Sequence, residues 1–161
     1  SSEFRFLPNK RFFAHIRHTR AEGLWSANWK FDIGWQRILD DRITRNFGSV
    51  SRSYEFNRSD LFGLMLNASW DTGESSWIIG GEYYQDRVAS QRLKENIISG
   101  QINTSQSRFP DDSSVAQSAI YANLEKQLGG RHSISSGIRL SMVDIDLSET
   151  AVSTATFLNL L

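Results

Sequence analysis

The sequence contains no cysteine in 161 residues, so it has neither a disulfide framework nor a thiolate metal site. Proline is nearly absent, with only Pro8 and Pro110, and long unbroken extended segments are therefore allowed. There is no net charge, because 18 Lys+Arg balance 18 Asp+Glu. That removes the clustered positive charge on which general nucleic-acid binders rely, and no nucleic-acid partner is expected. No stretch approaches the roughly 18 consecutive apolar residues that a membrane helix needs. The start, Ser1-Ser2-Glu3-Phe4, shows no basic region leading into an apolar core. What remains is a chain of one-domain length with 39% hydrophobic residues, too apolar for a disordered tail. A membrane β-barrel stays open, since its two faces cancel in mean hydropathy.

What is present is alternation. Trp25, Ala27, Trp29, Phe31, Ile33 and Trp35 interleave with Ser26, Asn28, Lys30, Asp32, Gly34 and Gln36. Only a strand between two different environments needs that pattern. Phe62, Leu64, Leu66, Ala68 and Trp70 alternate with Gly63, Met65, Asn67 and Ser69 in the same way. Similar patterns run through Trp77–Tyr83, Ile120–Leu124 and Ile134–Met142, and more weakly through Phe12–Ile16. The predicted fold is all-β, an antiparallel meander of long strands forming part of an outer-membrane β-barrel. Six strands are predicted, at about 11–20, 25–45, 52–71, 76–90, 114–128 and 132–147. Residues 1–10 and 149–161 are weaker strand candidates.

The predicted connections alternate in length. Ala21-Glu22-Gly23, Asp71-Thr72-Gly73-Glu74-Ser75 and Gly129-Gly130-Arg131 are short and rich in Gly and charge, as hairpins require. Longer polar connections are expected near 46–52, over about 90–113, and after Leu147. Short turns at one end and long loops at the other are the pattern of outer-membrane barrels. Trp25, Trp70 and Trp77 lie beside short turns, where an aromatic girdle would stand. The strands at 25–45 and 52–71 exceed the 9–11 tilted residues that span a bilayer. Their far ends carry Asp40, Asp41, Arg42, Arg45, Arg52 and Glu55, and read as a charged ribbon beyond the membrane.

Three stretches together resemble the barrel of TonB-dependent outer-membrane receptors. They are Trp35-Gln36-Arg37-Ile38-Leu39-Asp40-Asp41-Arg42-Ile43-Thr44-Arg45-Asn46-Phe47-Gly48, Gly80-Gly81-Glu82-Tyr83-Tyr84-Gln85-Asp86-Arg87-Val88-Ala89-Ser90, and Ser107-Arg108-Phe109-Pro110-Asp111-Asp112-Ser113 with the hairpin that follows. The resemblance covers most of residues 11–148. It implies a bacterial outer-membrane parent that takes up an iron carrier (siderophore or haem) or a similar nutrient. It also implies as partners the outer-membrane lipid, a plug domain, the remaining barrel strands and an energy-coupling complex. The chain departs from the family in lacking a plug and a coupling segment, and its end, Phe157-Leu158-Asn159-Leu160-Leu161, lacks a terminal aromatic. It is expected to be an internal fragment whose edge strands can pair with another copy.

Lipid-facing positions are expected at Trp29, Phe31, Ile33, Leu64, Leu66, Ile79, Ile120, Leu124, Ile138 and Leu140. Lumen-facing positions are expected at Lys30, Asp32, Gln36, Asn67, Glu82, Asn123, Glu125 and Arg139. No enzymatic activity, cofactor or metal is expected. His15 and His18 should face opposite sides of a strand, and His132 should sit in a turn. Glu82 and Asp86 share a face but stand about 13 Å apart along a strand, too far for paired glycosidase carboxylates. No nucleophile elbow or His-Glu-x-x-His is present. The run Asp40, Asp41, Arg42, Arg45 reads as a solvated extension with ion pairs to residues such as Arg52, Glu55 and Arg58. Segment 95–113 is the best candidate for ligand contact, and a plain connector is its alternative. The rival reading is a soluble lipocalin-like barrel, with the apolar face turned inward around a small hydrophobic ligand.

Overall fold

The computed structural model describes residues 2–7, 9–129 and 131–147. They form one antiparallel sheet: β1 (Glu3–Phe6), β2 (Lys10–Arg20), β3 (Asn28–Leu39), β4 (Arg42–Arg45), β5 (Ser51–Asp71), β6 (Ser75–Asn96), β7 (Ile102–Ser105), β8 (Ser113–Gln127) and β9 (Ser133–Asp146). In the short-turn half the strands run β2-β3-β5-β6-β8-β9, and in the other half β1-β4-β5-β6-β7. β5 and β6, of 21 and 22 residues, are the ribbon shared by both halves. Among the described residues no pairing joins β2 to β9, so the sheet is open, with those two strands as its edges in the short-turn half and β1 and β7 in the other.

Turn chemistry matches each reversal. At the β5–β6 turn Gly73 takes a positive φ of 81°, and its N–H donates to Asp71 Oδ1 at 2.8 Å. At the β6–β7 turn Asn96 Oδ1 accepts from the N–H groups of Ile98 and Ser99. Gly100 there adopts φ 70°. Side-chain oxygens thus replace the ladder where the backbone reverses.

Four differences from the sequence reading have physical causes. First, the strand expected from Trp25 begins at Asn28, because 24–26 form a single 3-10 turn. Trp29 Nε1 donates to Leu24 O at 3.1 Å and Trp70 Nε1 to Trp25 O at 3.0 Å. The indoles hold Trp25 and Ser26 at φ 57° and 54° despite their alternating pattern. Second, the strand expected to reach 45 is interrupted at Asp40-Asp41. There Asp41 Oδ1 accepts from Asn57 N at 3.1 Å, taking the ladder's place, and β4 resumes the same register on β5. Third, about half of the loop expected over 90–113 is strand: β6 continues to Asn96 and β7 returns along it. Both faces are polar there, so no alternation marks the extension. Fourth, the weaker candidate at 1–10 contains β1, which pairs with β4, as well as the first residue of β2. The candidate strand at 149–161 and the connection expected after Leu147 lie outside the described residues.

Burial is unusual for a sheet of this size. Among the described residues the buried hydrophobics are Ala27, Ile43, Ala68 and Ala119, while Asp32, Ser53, Glu55, Asn57 and Ser90 are buried polar groups. Among the described residues no large side chain is fully buried. The fold is therefore held by its ladder and by cross-strand side-chain pairs, each worth about 0.2–1 kcal/mol, rather than by a packed apolar core.

Candidate functional site

Direct cross-strand partners share a face, so the register sorts every side chain. One row reads Phe31, Leu66, Gly81, Ile120, Leu140, and the next reads Trp29, Ala68, Ile79, Ala122, Ile138. Ile33, Leu64 and Leu124 fall on the same face. All ten residues expected to meet lipid thus lie on one side of the sheet. None of them is buried, and Leu66 is 43%, Ile120 63% and Leu140 63% exposed. Lys30, Asp32, Gln36, Asn67, Glu82, Asn123, Glu125 and Arg139 all fall on the opposite face.

Aromatic rings border the apolar face at both ends. Toward the short turns, Trp70 pairs directly with Trp77, and the Trp25 and Trp29 rings lie 6.1 Å apart. Toward the loops, Phe12 and Trp35 rings lie 5.3 Å apart, and Phe62 and Tyr83 rings 6.5 Å apart. From Phe62 to Trp70 is about 27 Å along a strand. At the usual barrel tilt that is about 20 Å of thickness, close to the apolar band of an outer-membrane barrel. Two shallow depressions complete this side. One, of about 520 Å³, opens where Gly81 offers no side chain between Leu66 and Ile120. The other, of about 1150 Å³, lies at the loop end among Leu39, Phe56, Arg58, Gln91 and the segment 104–111.

The polar face is a connected wall. Asp32 Oδ1 meets Arg17 Nε at 2.6 Å and His15 Nε2 at 2.9 Å, and Lys30 Nζ stands 3.9 Å from Oδ2. Arg139 pairs with Glu82, and Tyr121 donates to Asn67 Oδ1 across Gly80. A Cβ on Gly80 would lie 2.2 Å from that amide oxygen and 2.6 Å from the Tyr121 ring, so the contact requires glycine there. Gly137 leaves the same space beside Asn123.

Beyond the apolar band the ribbon changes character. Arg42 Nε and Arg92 Nε each stand 3.3 Å from a Glu55 oxygen, and Arg42 also reaches Asp40 at 3.0 Å. Arg52 pairs with Glu3 at 3.0 Å, and Tyr54 donates to Glu95 at 2.7 Å. The Tyr54 hydroxyl lifts Arg52 above the usual guanidinium value against the opposing pull of burial, with Glu3 and Glu95 adding to the rise. Asp111 Oδ1 accepts from Ser90 N at 2.9 Å, between the β7 and β8 pairings. That contact fixes the segment over the loop-end depression.

The remaining candidates are kept apart. His15 and His18 face opposite sides of β2, and His132 lies in the β8–β9 turn. Asp86 accepts from Ser59 Oγ at 2.7 Å while Glu82 holds Arg139, so the two carboxylates serve different partners. Among the described residues no group of three His, Cys, Asp or Glu could hold a metal. The loop-end depression is the feature that periodicity could not locate. It joins residues of β3, β5 and β6 that only the register brings together, although Pro110-Asp111-Asp112 marks its turn. No family model matches the chain, and no curated protein matches it.

Proposed function

We propose that the chain is part of the wall of an outer-membrane β-barrel of the TonB-dependent receptor type, serving uptake of an iron carrier such as a siderophore or haem, or a similar nutrient. One observation carries this reading: among the described residues all five buried polar residues lie on the polar face, while the large side chains of the apolar face from Trp29 to Leu140 stay open. A lipocalin-like barrel needs the opposite arrangement, with apolar side chains inward. A membrane wall needs its greasy side outward against acyl chains. In this reading the apolar face holds the wall in the bilayer, the Asp32 and Glu82 clusters meet a plug or aqueous lumen, and the ribbon and 104–111 segment stand in the capture region. Energy for transport comes from partners of the complete receptor.

The test is tryptophan fluorescence of the full chain refolded into phosphatidylcholine vesicles, with brominated phosphatidylcholine as quencher. Strong quenching supports the reading. A chain that stays soluble and folded without detergent, with unquenched tryptophans, overturns it. The uptake role is tested in the complete receptor by deleting 106–112. Loss of carrier binding with normal barrel assembly supports it, and unchanged binding removes the assignment of that segment.

A further inference from the structure

The apolar face does not end evenly. Immediately past Phe62 and Trp35 on the loop side, the same face carries Lys10, Arg37, Arg58 and Arg87, and Arg108 stands on the segment over it. Asp60 holds Arg37 at 2.6 Å and Arg58 at 3.2 Å, and Asp41 and Asp111, which line the loop-end depression beside Arg58 and Arg108, accept the backbone N–H groups of Asn57 and Ser90. Asp144 and Asp146, further acids of this face, stand on β9, with β8 between them and Arg87. Lys10, Arg58, Arg87 and Arg108 are exposed. At the short-turn border the described strand residues of this face offer only Arg20 and Lys126 as cations.

We infer that this collar, resting on the membrane reading above, is a binding site for the phosphate-bearing headgroup of an anionic lipid in the loop-side leaflet. Guanidinium groups present a planar fork that fits phosphate oxygens in pairs, and four of the five cations are arginines. Strand position sets the height. Arg58 stands about 13 Å along β5 from Phe62, which the strand's tilt reduces to the depth of a headgroup layer. The depression at Gly81 lies on the same face and the same two central strands, lined by Leu64, Leu66, Tyr83, Ile120 and Leu140. It gives an acyl chain of the same lipid a seat below the cations. A phosphate in free solution fits the collar but has no use for that seat.

The experiment compares tryptophan quenching of the full chain by dibrominated phosphatidylglycerol as a minor component of phosphatidylcholine vesicles with quenching in the reverse mixture. Trp35, beside Arg37, reports on the collar. The wild-type chain should prefer the anionic lipid, each exposed cation adding up to about five-fold. Arg37→Gln with Arg58→Gln and Arg87→Gln should bring the preference close to parity. Asp60→Asn, which removes the collar's own anion, should strengthen it several-fold. Quenching in neutral vesicles without preference for the anionic lipid overturns this inference and leaves the membrane reading standing. Absence of quenching in any vesicle removes both. Loss of the preference in millimolar inorganic phosphate would assign the collar to the free anion and overturn the lipid assignment.

Discussion

The two halves of β5 sit in the same sheet and follow opposite rules. From Phe62 to Trp70 its faces differ, one apolar throughout and the other mostly small or polar. From Ser51 to Asp60 both faces carry polar or charged groups, and its buried residues are Ser53, Glu55 and Asn57. The ladder is continuous across the boundary, so backbone pairing does not distinguish the halves. What differs is the medium each half is suited to. In the proposed membrane reading one half has a different environment on each side and the other has water on both; the second is stiffened by ion pairs and hydrogen bonds.

The comparison breaks most readily with one substitution made twice. Leu66→Arg and Phe56→Arg place the same charge on the same face of the same strand, ten residues apart. Leu66→Arg should cost about 2–4 kcal/mol of stability in the bilayer. Phe56→Arg should change it by less than about 0.5 kcal/mol. Urea unfolding of the chain in phosphatidylcholine vesicles reads both, and equal losses would erase the distinction. Glu55→Gln comes next. It leaves Arg42 and Arg92 facing each other without their carboxylate and should cost about 1–3 kcal/mol in the same titration, the loss shrinking little in high salt because Glu55 is buried. Gly80→Ala forces a methyl against Asn67 and Tyr121 and should cost about 1–3 kcal/mol. Combining it with Asn67→Ala should recover part of that loss, and no recovery would deny the contact across the glycine. Tyr54→Phe is the smallest, removing one hydrogen bond to Glu95 for about 0.5–1.5 kcal/mol.

Legibility along the chain follows the same division. Strands with two unlike faces were readable residue by residue: Trp29 to Trp35 and Phe62 to Trp70 alternate apolar and polar, and the register puts each set on its own face. The extension of β6 through Arg92 and Glu95 carried no such mark, since polar residues on both faces leave no period. Trp25 obeyed the alternation yet sits in a turn, because two indole N–H groups hold the turn's carbonyls, a long-range constraint no local pattern encodes. The break at Asp40-Asp41 was hidden for a related reason: a carboxylate substitutes for the ladder only when Asn57 of the neighbouring strand is in place. The Asp32 cluster was half legible. Its residue types stood out, but pairing with Arg17 and His15 depends on the register of β2 against β3.

The central claim is that the two faces of these strands meet different media, and the absence of native cysteine makes it directly measurable. Single cysteines placed in turn at Phe62 through Ser69 of the vesicle-inserted chain are exposed to a water-soluble maleimide. Labelling should alternate, with positions 63, 65, 67 and 69 modified and 62, 64, 66 and 68 protected. Uniform labelling, or alternation of the opposite parity, would contradict the account.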